Sequence, residues 1–486
     1  MRTIVAVMDK KGRCALRRAV EMLEVFKYGG SEAFGVGTSR DSDVKSSLEE
    51  LQIQRLEAQT AVGQAFFKVM PWDKPQPTFT DGAALVFNGR IYNPPEPIDL
   101  RKELDGSKLE SKAKSIIGKF EGGFVFAIAE NDRIIVGRDP LGLYPLYYSE
   151  NGSLFAAASE RKALWRLGFD EVKSFPPGYV AIVDDYGAKM EDAKRPSGLC
   201  INPMGMEEAA EELKSLIEGS VRERLWGLDK VAVAFSGGLD SSIIAALARQ
   251  CGVEAHLIHV SMIKQSETKY AEAAAELIGA TMNIRLYDEG EIEKTLPRVL
   301  WAVEEPDPLK LAIGMPIFWA AEEAARLGFR VLMAGQGADE LFGGYMRYLT
   351  IYKSYGKDIV QRSMTVDIMN MYKENFERDV KTCLFHNVEL RLPYASRSLV
   401  DFALGLPIEM KIDPAADGLR KIVLRRAAEK MGISAQIVRR PKRAIQYSTG
   451  VAKALRKIAK KEGLTLRGFI QKVFQDFKSR FIKGGV

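Results

Sequence analysis

The stretch VAVAFSGGLDSSIIAALA, residues 231 to 248, admits few folds. An apolar, β-branched segment passes through Gly237, Gly238 and Asp240 into apolar residues at helical spacing, so it reads as strand, tight turn and helix. Backbone amides freed at the two glycines, with the Ser241 and Ser242 hydroxyls at the positive end of a helix, make a small concave anion site. A phosphate is the obvious guest. The turn lacks the Gly-Lys-Ser/Thr ending of a Walker loop and carries Asp240 among the phosphate-binding groups instead. A carboxylate beside a polyphosphate repels it unless a hard cation lies between them, so Asp240 implies Mg2+ bridging to a nucleotide. The bland alternative is a glycine-rich strand-to-helix turn that binds nothing.

From MEEAAEELKSLIEGSVRERL onward, helices alternate with the β-rich runs KVAVAF, EAHLIHV, TMNIRLY and RVLMAG. That order predicts an α/β domain with a mostly parallel sheet, helices on both faces and ligands at the carboxyl ends of its strands. A second loop, GQGADELFGGY at residues 335 to 345, follows RVLMAG as the first loop follows its strand. It places Gly335, Asp339 and Glu340 just beyond a strand, so two neighbouring loops can hold one nucleotide, with Asp240 and Asp339 sharing the metal. After residue 346 the chain reads as mainly helical.

The first 190 residues read differently. Short alternating runs such as GAALVFNGRIYN and GGFVFAIAENDRIIVGRDPLG, punctuated by Gly, Asn and Asp, predict an antiparallel sheet with helices packed on it, an α+β unit. DAKRPSGLCINPMG has the composition of a linker, which sets domains at 1–195 and 206–486. No long uncharged apolar run or signal-peptide pattern is present in the 486 residues, so a cytoplasmic protein without membrane contact is expected. Cys14, Cys200, Cys251 and Cys383 are too scattered for a disulfide framework or a paired-cysteine metal site. Residues 438 to 486 hold 14 Lys/Arg against Glu462 and Asp476 in a chain of net charge +6. Such a tail can grip nucleic acid, but VAKALRKIAKKEGL and FIQKVFQDFKSRFI also read as amphipathic helices with solvated faces, and that reading is preferred.

FNGRIYN (87 to 93), GRDPLGLYPLYY (137 to 148), ASERKAL (158 to 164), FPPGY (175 to 179), SGGLDSS (236 to 242), GQGADELFGGY (335 to 345) and VELRLPY (388 to 394) together resemble the class II asparagine synthetases. RKIVLRRA (420 to 427) and RRPKRA (439 to 444) resemble that family's C-terminal basic motifs, so the likeness runs through nearly the whole chain in order. The resemblance implies an N-terminal Ntn-hydrolase-like glutaminase domain and a C-terminal PP-loop ATP pyrophosphatase domain. It implies that ATP is split between its α- and β-phosphates, giving an acyl-adenylate and pyrophosphate, and that ammonia displaces AMP to form an amide. Pyrophosphate would lie on Ser236, Gly237, Gly238, Ser241 and Ser242, with Gly335 nearby and Mg2+ on Asp240 and Asp339. Lys442 matches the catalytic lysine, Lys421 a basic position near the phosphates, and Glu267 an acid near the nucleotide. The alternatives are solvated charges for both lysines and a surface helix start for Glu267.

Two departures qualify the resemblance. Family members use an N-terminal cysteine nucleophile whose own amine is the base, and Arg2 stands in that place here. Thr3 would serve only after a further cleavage. The aligned GQAFFKV and DGSKLES stretches lack the groups that hold glutamine, and only Asn88 and Gly89, at the oxyanion-hole position, remain recognisable. An inactive glutaminase is therefore expected, with free ammonia or a separate glutaminase as nitrogen source. Gln336 stands where the family usually has glutamate, and an amide cannot be a general base. Aspartate is the leading acyl substrate; another carboxylate, as in the β-lactam synthetases, and a tRNA base are the alternatives. The family also implies a homodimer.

Overall fold

The computed structural model describes residues 3–12, 14–52, 57–80, 82–93, 103, 108–197, 204–415, 420–441 and 449–482. Arg2 and Lys442 lie outside the described residues. The chain divides into two compact units, Met1–Arg195 and Pro196–Val486.

The first unit is built on antiparallel strands, β1 (Thr3–Asp9), β2 (Ala33–Gly37), β3 (Ser42–Lys45), β4 (Thr60–Phe66), β5 (Thr78–Thr80), β6 (Ala83–Asn93), β7 (Glu121–Ala129), β8 (Ile134–Arg138), β9 (Tyr147–Glu150), β10 (Leu154–Ala158), β11 (Lys173–Ser174), β12 (Tyr179–Asp184) and β13 (Gly187–Asp192). They form two sheets, of order β11-β9-β10-β1-β4-β2-β3 and β13-β12-β8-β7-β6-β5. Strands β1 and β4 of one sheet pack on β6 and β7 of the other. Both faces of these strands are buried, which is why IVAV and FVFAIA read as nearly continuous apolar runs. Helix Ala15–Leu23 covers the outer face of the first sheet through Leu16, Ala19 and Leu23, and helix Leu109–Lys119 covers the second through Ala113, Ile116 and Ile117. The result is the helix–sheet–sheet–helix layering of the Ntn-hydrolase class.

The second unit carries a parallel sheet, β14 (Lys230–Ala234), β15 (Glu254–Met262), β16 (Met282–Tyr287), β17 (Val331–Met333) and β18 (Glu389–Arg391), in the order β16-β15-β14-β17-β18. Burying Val231, Val233, Leu257 and Ile258 contributes about 1.5–3 kcal/mol for each side chain. Because β14 pairs with β15 on one side and β17 on the other, the connections leave it in opposite directions. A crevice opens at the carboxyl ends of β14 and β17, where ligands bind in open α/β sheets. After residue 346 the described chain is mainly helical, as expected, with the three-residue strand β18 as the exception; its Glu389 and Arg391 alternate with apolar neighbours but are buried and paired with each other at 2.6 Å. Helices Val451–Lys461 and Leu466–Ile482 form in the basic tail, with Leu455 and Ile458 buried. None of the described helices is long and apolar enough to cross a membrane.

Candidate active site

Loop 235–238 leaves β14 and turns into helix Leu239–Gln250, whose first turn carries Asp240. Gly237 is fixed by two constraints. It has φ +67°, and a Cβ there would stand 2.7 Å from the Cα of Ala271. Within the loop, Ser241 Oγ lies 3.3 Å from the Ser236 amide, and the Gly238 amide donates to Ser236 Oγ at 3.3 Å. Ser236, Asp240 and Ser241 face a cavity of about 900 Å3. Ser242 does not. It is fully buried, and its hydroxyl has no partner among the described residues.

The second loop approaches from β17 and starts helix Ala338–Phe342 with Asp339 and Glu340 in its first turn. Gly335, Gln336 and Asp339 reach the same cavity. Asp240 and Asp339 come together through Lys421, whose Nζ lies 2.7 Å from both carboxylate oxygens of Asp240 and 2.6 Å from Oδ1 of Asp339. The lysine is 1% exposed, so it is not the solvated charge of a basic tail. Its backbone adopts φ +63°, a conformation that costs a non-glycine residue on the order of 1 kcal/mol and that recurs at functional sites. Room for this triad depends on Gly344, where a Cβ would strike both the Asp339 carboxylate and the Lys421 side chain. The two carboxylates are hard oxygen donors converging on one cation, a donor set that suits Mg2+.

Glu267 begins helix Glu267–Ile278 but is 6% exposed, which rules out a plain surface helix start. It pairs with Arg440, whose Nη1 donates to the Gly237 carbonyl at 2.9 Å and whose guanidinium lies 4.4 Å from the Tyr270 ring. Arg440 thus ties the start of the basic motif to loop 235–238. His259, on β15, also lines the cavity. Its Nδ1 lies 3.0 Å from the Phe235 carbonyl and its Nε2 3.3 Å from Thr268 Oγ1. A carbonyl can only accept, so Nδ1 carries the proton. Burial lowers the imidazole pKa and favours this neutral form.

The far wall is polar. Glu340 is buried, and its Oε1 accepts from Tyr345 OH at 2.5 Å and from Asn375 Nδ2 at 2.6 Å. Burial, and next the Asp339 charge, raise its pKa. Arg440, His259, Tyr345 and Gly344 were not singled out by motif reasoning. Arg440 stood inside a quoted motif, whereas His259 falls in an ordinary strand and left no signal.

In the first unit, Asn88 is buried on β6 beside Gly89, which has φ +134°. Gln64, in the GQAFFKV segment, donates to the Phe87 carbonyl at 2.9 Å and accepts from the Gln76 amide at 3.0 Å, so its side chain braces β6. Arg90 makes a buried two-pronged pair with Asp73, at 2.8 and 3.1 Å. Thr3 is fully buried, and its hydroxyl has no partner among the described residues.

The layered first unit and the parallel-sheet second unit with its glycine-rich strand-to-helix loop define the class: an amidotransferase-type half followed by a synthetase-type half. The asparagine synthase family model matches residues 212–358 and 352–475, and a glutamine amidotransferase domain model matches 66–166. A putative glutamine-hydrolysing asparagine synthetase of Methanocaldococcus jannaschii is 31% identical, with 96% of each chain covered. Glutamine-hydrolysing asparagine synthetases of Lotus japonicus and Arabidopsis thaliana are each 26% identical, covering 79% and 77% of this chain and 69% and 68% of their own. The chain belongs to the asparagine synthetase family.

Proposed function

We propose that this chain is an ATP-dependent amide-forming ligase that activates the side-chain carboxylate of aspartate as an acyl-adenylate and amidates it with ammonia, yielding asparagine, AMP and pyrophosphate. The observation that carries this reading is the convergence of Asp240, Asp339 and Lys421 at the phosphate loop. ATP would seat its β- and γ-phosphates on the loop amides, with the adenosine along β15 beside His259. Mg2+, held by Asp240 and Asp339, would neutralise charge on the departing pyrophosphate. Lys421 supplies a positive charge fixed before the reaction, which lowers the barrier without reorganisation. Lys442 is assigned the second cationic role from its match to the family's catalytic lysine.

We assign the first unit no glutaminase activity. Strand β1 carries no cysteine, Cys14 lies beyond it, and the Thr3 hydroxyl is buried. Ammonia would come from solution or from a separate glutaminase. A second reading, activation of a carboxylate other than that of aspartate, is favoured by Gln336 in place of the family glutamate.

Both readings are tested with purified protein, Mg-ATP and L-aspartate, adding ammonium or glutamine in parallel. Asparagine, AMP and pyrophosphate in equal amounts with ammonium, and none above background with glutamine, are expected. Turnover with glutamine would overturn the assignment of the first unit. Failure to release AMP with aspartate, while other carboxylates release it, would move the substrate to the second reading.

A further inference from the structure

Between helices Lys357–Met371 and Glu377–Leu384, residues Tyr372–Phe376 form a π-helical turn. Such turns are rare within helices and recur at functional sites. Lys373, Glu374 and Asn375 of this turn all line the cavity. Two side chains hold its backbone: Lys310 Nζ donates to the Lys373 carbonyl at 2.9 Å, and Arg378 Nη1 donates to the Glu374 carbonyl at 2.8 Å. Lys310 also lines the cavity, in the first turn of helix Pro308–Arg326, and is itself fixed. Asp307 accepts from its amide at 2.8 Å and Glu305 from its ammonium at 2.7 Å. At the far end of the turn, Asn375 Nδ2 donates to Glu340 Oε1 at 2.6 Å. An unbroken chain of contacts therefore runs from Lys310 through the π turn to the second loop.

We propose that Lys310 is a positioning residue for the acyl substrate: it clamps the π turn so that Asn375 orients Glu340, whose carboxylate receives the ammonium group of an amino-acid substrate. This inference rests on the amide-forming reading above. On that reading the phosphates take loop 235–238 and the adenosine lies along β15, which leaves the wall of Glu340 and the π turn to the carboxylate being activated. An amino acid brings an ammonium group into the cavity, and a charge taken from water needs a partner. Among the carboxylates there, Asp240 and Asp339 face Lys421, and Glu267 faces Arg440. Glu340 differs. Its donors, Tyr345 and Asn375, are neutral and both fall on Oε1. An ammonium group supplies the counter-charge that this buried carboxylate lacks. Lys310 never touches the substrate; its effect reaches the site through the turn.

The test compares Lys310→Met, Lys310→Arg, Asn375→Leu and the double variant Lys310→Met/Asn375→Leu in steady-state kinetics with ATP, ammonium and aspartate each varied. Lys310→Met and Asn375→Leu should each raise KM for aspartate about tenfold and leave KM for ATP and for ammonium within about twofold. Lys310→Arg keeps a cationic donor for the Lys373 carbonyl and should stay within about threefold of wild type. Because both losses act through Glu340, the double variant should lie within about threefold of the worse single variant, well short of the roughly hundredfold product of independent effects. Succinate, which is aspartate without its amino group, should be an equally poor substrate for wild type and for Lys310→Met. Equal rises in all three KM values, a fully multiplied loss in the double variant, or an unchanged KM for aspartate would overturn the proposal. Wild-type protein that forms no amide would overturn the underlying reading instead.

Discussion

Asp240→Asn is expected to lower pyrophosphate and AMP release on the order of a thousandfold, the upper end of what removing one preorganised electrostatic group from a reaction centre costs. The substitution keeps the shape of the helix start, and the Gly237 and Gly238 amides that would receive phosphate are unchanged, so ATP should still bind. Three effects combine in the loss. The position gives up its charge toward Mg2+, Lys421 loses the carboxylate that orients its ammonium from 2.7 Å, and Asp339 is left to balance that lysine alone. A pyrophosphate-coupled assay at saturating Mg-ATP checks the rate, and equilibrium binding of a non-hydrolysable ATP analogue checks the site. A variant within tenfold of wild type would show that Asp240 is a helix-start acid without a part in the chemistry.

Lys381→Met is expected to have the largest effect on stability. Lys381 Nζ donates to the Glu304 carboxylate and to the Val303 carbonyl, both at 2.8 Å, and the two side chains are 1% and 0% exposed. Removing the ammonium strands a carboxylate in the interior, which typically costs about 3–5 kcal/mol. For a unit of this size that corresponds to a fall of roughly 10 °C in its melting temperature. Calorimetry of the full chain reads it in the transition of the second unit, and Lys381→Met/Glu304→Gln should recover part of the loss because the orphaned charge is gone. A shift under about 2 °C would mean that water or a rearranged side chain relieves Glu304.

What the sequence discloses and what it conceals follow from the range of the interactions. The phosphate loop, β14 to β17 and the meeting of Asp240 with Asp339 at one cavity are legible because short spacings and strand-to-helix punctuation carry them. Contacts across large separations are not. Lys421 lies 181 residues from Asp240, and Arg440 lies 173 from Glu267, so burial and pairing decide between site residue and solvated charge. Strand β18 is hidden because its polar–apolar alternation spans only three residues, and its two charged positions, which that pattern would put in solvent, form a buried ion pair instead. Asp379 is hidden because an acid next to an arginine looks like any surface pair, and packing alone reveals that both are buried and paired with each other.

The most direct test of the central claim follows oxygen. With aspartate carrying 18O in both carboxylates, Mg-ATP and ammonium, the account predicts that each AMP gains one 18O atom, because the activated carboxylate leaves one oxygen on the phosphate when nitrogen displaces it. Unlabelled AMP, or ADP in place of AMP, would contradict acyl-adenylate formation and the function proposed for this chain.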